Sequence, residues 1–278
     1  METTLDTPNT ETTTTKAKAP LPLTRDAIKF EHPLSERFRF FLRLEYLFRL
    51  LDKQMSADAP QNSHAAISAL LDIINIVGRM DIKTETFKEL DRINQILAPY
   101  QRASQVEQGT LDEILTSTKN LSTQLRTVTG PIDQPLKDVE LLKSLQLRNN
   151  IPGGMVDFDL PAYRFWLHQP AEQRKNDLLE WLEPFIPLRY AIDIILQLVR
   201  ESTEPTGESA DDGIYKQNLD PKSPCQLIIV SLPKNSSYYA EFSGGKHRFT
   251  VRFIDTLKKP RPLQTQNRVE FNLSCCKL

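Results

Sequence analysis

Residues 247–254 read His-Arg-Phe-Thr-Val-Arg-Phe-Ile, and their strict alternation decides how the C-terminal part of this chain is built. Successive side chains of a strand point to opposite faces. His247, Phe249, Val251 and Phe253 therefore face one way, and Arg248, Thr250, Arg252 and Ile254 the other. CQLIIVSL (225–232), SYYAEF (237–242) and RVEFNL (268–273) share the strand-like pattern. Between these segments stand Pro233-Lys234-Asn235-Ser236, Ser243-Gly244-Gly245-Lys246 and a longer Lys/Pro-rich loop, the turn-forming sequence expected of an antiparallel meander.

Upstream of residue 205 the apolar period is about 3.6 rather than 2. Ser35 can cap a first helix whose Phe38, Phe41, Leu42, Leu44, Tyr46, Leu47, Phe48 and Leu51 cover a wide apolar arc, with Glu45 and Arg49 as an i,i+4 pair on its polar side. A second helix follows Ser63, a third covers 85–97, and Thr110 with Glu113 forms a capping box for a fourth that runs to about Thr127. Gly130-Pro131 interrupts the pattern, a shorter helix spans 136–147, and two more follow Pro170 and Pro187. Ile151-Pro152-Gly153-Gly154 is a turn, and the aromatic, proline-broken stretch after it reads as extended, so that 151–169 contributes strands to the β part. Residues 1–27 are rich in Thr and Pro with few large apolar groups, which predicts a disordered tail. The expected architecture is α+β, with an N-terminal multi-helix domain over 28–205 and a C-terminal antiparallel β-rich domain over 206–278.

The chain has 278 residues, 39% of them hydrophobic and 26% charged, with 19 Pro against 9 Gly; this is ordinary globular usage with punctuated helices. Its net charge of -1 gives no overall field toward nucleic acid or an anionic membrane, so charge recognition must come from local segregation. Such segregation exists. Residues 203–224 are acidic, whereas Lys246, Arg248, Arg252, Lys258, Lys259, Arg261, Arg268 and Lys277 face only Glu241, Asp255 and Glu270. The three cysteines and the lack of an apolar leader or long apolar run lead us to expect a cytoplasmic chain without disulfides or membrane spans.

At roughly 3.3 Å per residue, Arg248 and Arg252 stand about 13 Å apart on one sheet face and can hold two points of one extended ligand. Guanidinium forks suit carboxylates and phosphates, which leaves an acidic peptide, a nucleic-acid backbone or a merely solvated face as readings of this strand. Arg164, beside Trp166 in the stretch read as extended, could face a groove; both tryptophans sit in settings that predict core burial. Nothing supports catalysis or a cofactor. Histidine occurs only at 32, 64, 168 and 247, adjacent Cys275 and Cys276 have no usual zinc spacing, and no HExxH, GxSxG, P-loop or GxGxxG is present.

FEHPL (30–34), FLRLEYL (41–47), KELDR (88–92), IPGG (151–154), FDLP (158–161), FWLH (165–168), SGGKHRFTVRF (243–253) and the VEFNLSCC ending together resemble, in order, the ZapD family of bacterial cell-division proteins. The resemblance implies a non-enzymatic homodimer, with an α-helical and a β-rich domain, that binds the C-terminal tail of the division GTPase FtsZ and cross-links its protofilaments at midcell. It also implies tail-binding roles for Lys246, Arg248 and Arg252 on the basic strand, for Arg79 at the end of the second helix and for Arg43 in the first. Arg164 stands where some relatives have His. Gly245 replaces a family histidine, and His247 follows the lysine instead. The expected partners are thus the FtsZ tail and a second copy, with neither membrane nor nucleic acid; the alternative is a nucleic-acid-binding module using the same strand.

Overall fold

The computed structural model describes residues 19–22, 26–102, 108–149, 151–156, 158–245, 247–256, 261 and 263–278. Its helices are α1 (Glu36–Met55), α2 (Pro60–Arg79), α3 (Ile82–Leu97), α4 (Gln108–Thr127), α5 (Glu140–Arg148), α6 (Pro161–Leu167), α7 (Ala171–Leu182) and α8 (Ile186–Glu201). The Ser35 hydroxyl accepts the Phe38 amide at the start of α1, as its sequence predicts, and Phe38, Phe41, Leu44, Phe48 and Leu51 are buried along one face. That face packs on α2, while α8 lies across α1, α3 and α4 with Leu188, Ile192, Ile195, Leu196 and Val199 in the core. Glu45 and Arg49 pair at 3.3 Å, as the i,i+4 spacing leads one to expect.

Several helix starts differ from the sequence expectation. α2 begins at Pro60, whose fixed φ suits a first helical turn, and α3 begins at Ile82 because the Asp81 carboxylate caps the Thr84 amide at 3.1 Å. α4 is already under way at Gln108, so Thr110 lies within the helix rather than capping it. The largest difference is at 151–169. The described residues of this stretch supply no strand, and Pro161–Leu167 is the short helix α6. Tyr163 and Trp166, three residues apart, share one face of that helix and are both buried. Trp166 stacks on Tyr163, lies tilted by 32° against Trp181 and donates its indole N–H to Asp177 at 2.8 Å. Aromatic content here serves helix packing, and local propensity gave way to it.

The strands are β1 (Ile28–Pro33), β2 (Thr206–Ala210), β3 (Ile214–Asn218), β4 (Leu227–Leu232), β5 (Tyr238–Gly244), β6 (Arg248–Asp255), β7 (Leu263–Gln264) and β8 (Val269–Cys276). They form two antiparallel sheets, ordered β1-β4-β8-β2 and β3-β6-β5, with β7 extending the β3 edge of β6. The expected simple meander is therefore corrected. Chain neighbours β4 and β5 belong to different sheets, and so do β2 and β3, joined by a tight turn at Asp212-Gly213 where both residues have positive φ (52° and 66°). β1 comes from the residues before Ser35 that the expected multi-helix domain includes, and β2 and β3 from the acidic segment.

The two sheets face each other across a core of Ile228, Val230, Phe249, Val251, Phe253 and Phe271. Phe271 of β8 meets Phe253 of β6 with ring centroids 4.9 Å apart, and Tyr215 of β3 at 5.3 Å. The outer side of β4 is buried as well, because Leu227 and Ile229 join the helical core. Burial on both faces explains why CQLIIVSL is apolar throughout rather than alternating. Arg200 at the end of α8 ties the layers together, pairing with Glu31 of β1 at 2.8 Å and Glu45 of α1 at 2.6 Å.

Ala19–Pro22 belong to the stretch expected to be disordered, yet they lie against the first sheet. The Leu21 amide donates to Asn272 Oδ1 at 2.7 Å, and Asn272 Nδ2 donates to the Leu21 carbonyl at 3.1 Å. A Cβ on Gly207 would collide with the Ala19 carbonyl. Gly207→Ala is therefore expected to push this segment off the sheet, with amide exchange at Leu21 roughly tenfold faster as its hydrogen bond is lost. Unchanged protection of Leu21 would show that the segment is held elsewhere.

Candidate functional site

β6 places its side chains as the alternation predicts. Phe249, Val251 and Phe253 are buried between the sheets, while Arg248 and Arg252 are exposed on the outer face. Ile254 shares the outward parity but is buried, 7% exposed, near the end of the strand. Arg252 stands opposite Glu241 of β5 and makes a loose ion pair with it at 3.8 Å, both side chains being about half exposed (50% and 46%). Such a pair contributes little and is easily exchanged for a better carboxylate. Arg248 makes no ion pair with another described residue and lines an open depression with Lys216, Asn218, Ser243 and Thr250. Lys216 of β3, opposite Thr250 of β6, is a further cation of this depression, brought there by a long-range strand pairing that the acidic segment does not encode locally. Lys246 lies outside the described residues.

A second cationic feature lies on the helices. Arg43 of α1 and Arg79 of α2 line one groove of about 750 Å³, with Phe40, Leu47, Ile76 and Met80 among its walls. Both arginines are exposed, and neither pairs with a carboxylate of another described residue; Arg43 leans over the Phe40 ring at 5.7 Å. Helical periodicity brings Arg43 to the groove side of α1, while Phe41 and Leu44 turn into the core.

Beside these two features, α1 also packs against β1. Arg39, one turn before Arg43, is near enough to His32 of β1 to disfavour its protonation, adding to burial, the larger cause of its lowered pKa. His32 in turn stacks on Phe242 of β5, with centroids 5.1 Å apart and planes inclined by 8°. Phe242 precedes Ser243 and follows Glu241 on β5; successive side chains alternate, so Phe242 turns toward the core between the sheets while Glu241 shares the outer face with Arg252. His32 belongs to the FEHPL motif, but its stacking on Phe242 joins elements more than 200 residues apart and has no local sign in the sequence.

Arg164 does not join this arrangement. It is exposed on α6, whose Tyr163 hydroxyl meets His64 Nδ1 at 2.8 Å. His64 and Arg79 are 15 residues apart on α2, about 22 Å along the helix at 1.5 Å per residue, so Arg164 lies toward the opposite end from the groove. The reading of Arg164 as part of an extended strand is corrected with the strand itself.

Among the described residues no cluster of three His, Cys, Asp or Glu side chains could hold a metal ion, and no helix is long and apolar enough to cross a membrane. What the geometry supplies is exposed guanidinium groups beside apolar surface, a chemistry suited to binding an amphipathic acidic segment.

Comparison with known proteins agrees with the motifs. Residues 42–252 match the ZapD family model, described as a cell division protein. The chain is 38% identical over 254 residues to Cell division protein ZapD of Methylococcus capsulatus, covering 91% of this chain and 100% of that protein. It is 37% identical to the protein of the same name from Coxiella burnetii, covering 90% and 98%, and 38% identical to that from Cupriavidus taiwanensis, covering 90% and 99%. With a match over most of its length to relatives that it spans almost completely, this chain belongs to the ZapD family of cell division proteins.

Proposed function

We propose that this chain is a non-enzymatic cytoplasmic adaptor that binds the C-terminal tail of FtsZ and, as a homodimer, cross-links FtsZ protofilaments at the midcell ring. The observation that carries this reading is the α1–α2 groove, where Arg43 and Arg79 border an apolar wall without carboxylate partners among the described residues. Unpaired guanidinium groups around apolar side chains match a short peptide that alternates carboxylates with apolar residues. Arg248, Arg252 and Lys216 add a second cationic surface, on the outer face of the β3-β6-β5 sheet. Two such sites on one dimer would bridge filaments, and many tails per filament would make weak single contacts effective together.

The test is a calorimetric titration of a synthetic FtsZ tail peptide into the full chain, combined with sedimentation to establish its oligomeric state. Two peptides per dimer are expected, with affinity falling several-fold between about 0.05 M and about 0.5 M salt as exposed charges are screened. A dimer that binds no peptide would remove the reading. A chain that ignores the peptide but binds DNA or RNA with a steep salt dependence would instead point to the basic sheet as a nucleic-acid surface.

A further inference from the structure

The groove between α1 and α2 also contains a negative charge, and this sharpens the description of its ligand; the inference rests on the tail-binding reading above. Asp72 lines the same groove as Arg43 and Arg79 and lies on the same stripe of α2 as Ile76 and Arg79. It is exposed and makes no ion pair with another described residue. Its carboxyl is nevertheless held above the usual aspartate range by burial, with no neighbouring cation offsetting that effect. Arg43 and Arg79 share the groove with Asp72 and do not neutralise it. A groove made only to receive acidic groups gains nothing from an unpaired carboxylate in its wall, since this would repel the ligand.

We propose that Asp72 reads a lysine or arginine of the docked segment, so that the ligand is an amphipathic peptide carrying a cation as well as carboxylates. The spacing limits how such a peptide can lie. Asp72 and Arg79 are seven residues apart on one helix, about 10 Å along its axis. A ligand that satisfies both must place its cation and its carboxylate about the same distance apart, which is three residues of extended chain or two turns of helix. Apolar side chains between them would meet Ile76 and Met80. Asp72 would then set specificity and orientation: a reversed peptide would bring its carboxylate against Asp72 and its cation against Arg79.

The experiment is a four-way titration of the full chain. An FtsZ tail peptide, and the same peptide with every lysine and arginine replaced by norleucine, are each titrated into the unaltered protein and into Asp72→Asn. We expect the norleucine peptide to bind the unaltered protein about fivefold more weakly, Asp72→Asn to lose a similar factor for the natural peptide, and the two losses not to add. Asp72→Asn with full affinity for the natural peptide, or losses that simply multiply, would overturn the assignment. A natural peptide that fails to bind the unaltered protein would overturn the tail-binding reading and this inference with it. Binding abolished by Arg79→Glu but untouched at Asp72 would retain the first and reject the second. Because Asp72 is exposed, circular dichroism is expected to show an unchanged fold in Asp72→Asn.

Discussion

Arg248→Glu combined with Arg252→Glu is expected to abolish co-sedimentation of this chain with FtsZ filaments while leaving its fold and oligomeric state intact. Both side chains project from the outer face of β6, whereas the residues between and beside them, Phe249, Val251 and Phe253, carry the sandwich core. The substitutions therefore change charge without opening a cavity. Each exposed pairing contributes on the order of 1 kcal/mol, and reversal replaces it with a comparable repulsion, so the double change removes roughly 3–4 kcal/mol from one contact, a factor of several hundred. Arg252→Glu also sets a second carboxylate beside Glu241, which in the unaltered chain faces Arg252 at 3.8 Å, and so adds negative potential to the face that would receive an acidic segment. On the proposed two-site dimer, avidity would multiply the loss, because two filaments would be bridged only when both sites are occupied. Pelleting with FtsZ filaments, checked by circular dichroism and analytical ultracentrifugation, measures the result. Retained pelleting with both charges reversed would remove β6 from the site and leave the α1–α2 groove to account for binding alone.

Arg200→Met is expected to cost about 3 kcal/mol of stability at neutral pH, because it breaks a largely buried charge cluster from one side. Arg200 holds Glu31 of β1 and Glu45 of α1 together, and the Glu45 side chain is only 11% exposed. Burial alone would push the Glu45 carboxyl up, but the hydrogen bond and charge of Arg200, helped by Arg49, outweigh it and hold the group below its ordinary value. A depressed folded-state pKa contributes stability that is fully present above the unfolded value of about 4.5 and is lost as pH falls through the folded one. Without Arg200 the sign reverses. Glu45 would be a buried carboxylate lacking its main partner, its pKa raised, and its neutral form favoured by folding. The variant is therefore expected to regain part of its loss between pH 7 and about pH 5, where the unaltered protein gains nothing from this group. Urea unfolding at the two pH values checks this, and adding Glu45→Gln is expected to restore part of the stability at neutral pH. A variant as stable as the parent at pH 7 would show that the cluster is replaceable by apolar packing.

Much of the fold is legible in the sequence wherever one face of an element is buried. α1, α7, β5, β6 and β8 announce themselves by period, cap or flanking turn, since burial on one side leaves a regular trace in residue order, and β4, buried on both faces, by a continuous apolar run between turns. α6 is not legible in this way: seven residues opening with Pro161 are too few to show a helical period, and two buried aromatics imitate a strand. β1, β2 and β3 are polar or short, and their pairing depends on partners far along the chain, as β1 with β4 and β2 with β8 show. Asp212-Gly213 was the one local sign of the β2–β3 turn, a pair suited to the positive φ that both residues adopt.

For the candidate site the division is similar. By itself the sequence determined that Arg248 and Arg252 share one face of one strand, because alternation is a property of the backbone and needs no knowledge of the rest. It also supplied, through its ordered motifs, the family to which the chain belongs. Only the tertiary structure set Arg43 across a groove from Arg79, put Asp72 in that groove without an ion pair to another described residue, stacked His32 on Phe242 and moved Arg164 toward the other end of α2. Those neighbours come from separate elements, and their meeting follows from how helices and sheets pack, a long-range outcome that local spacing does not encode.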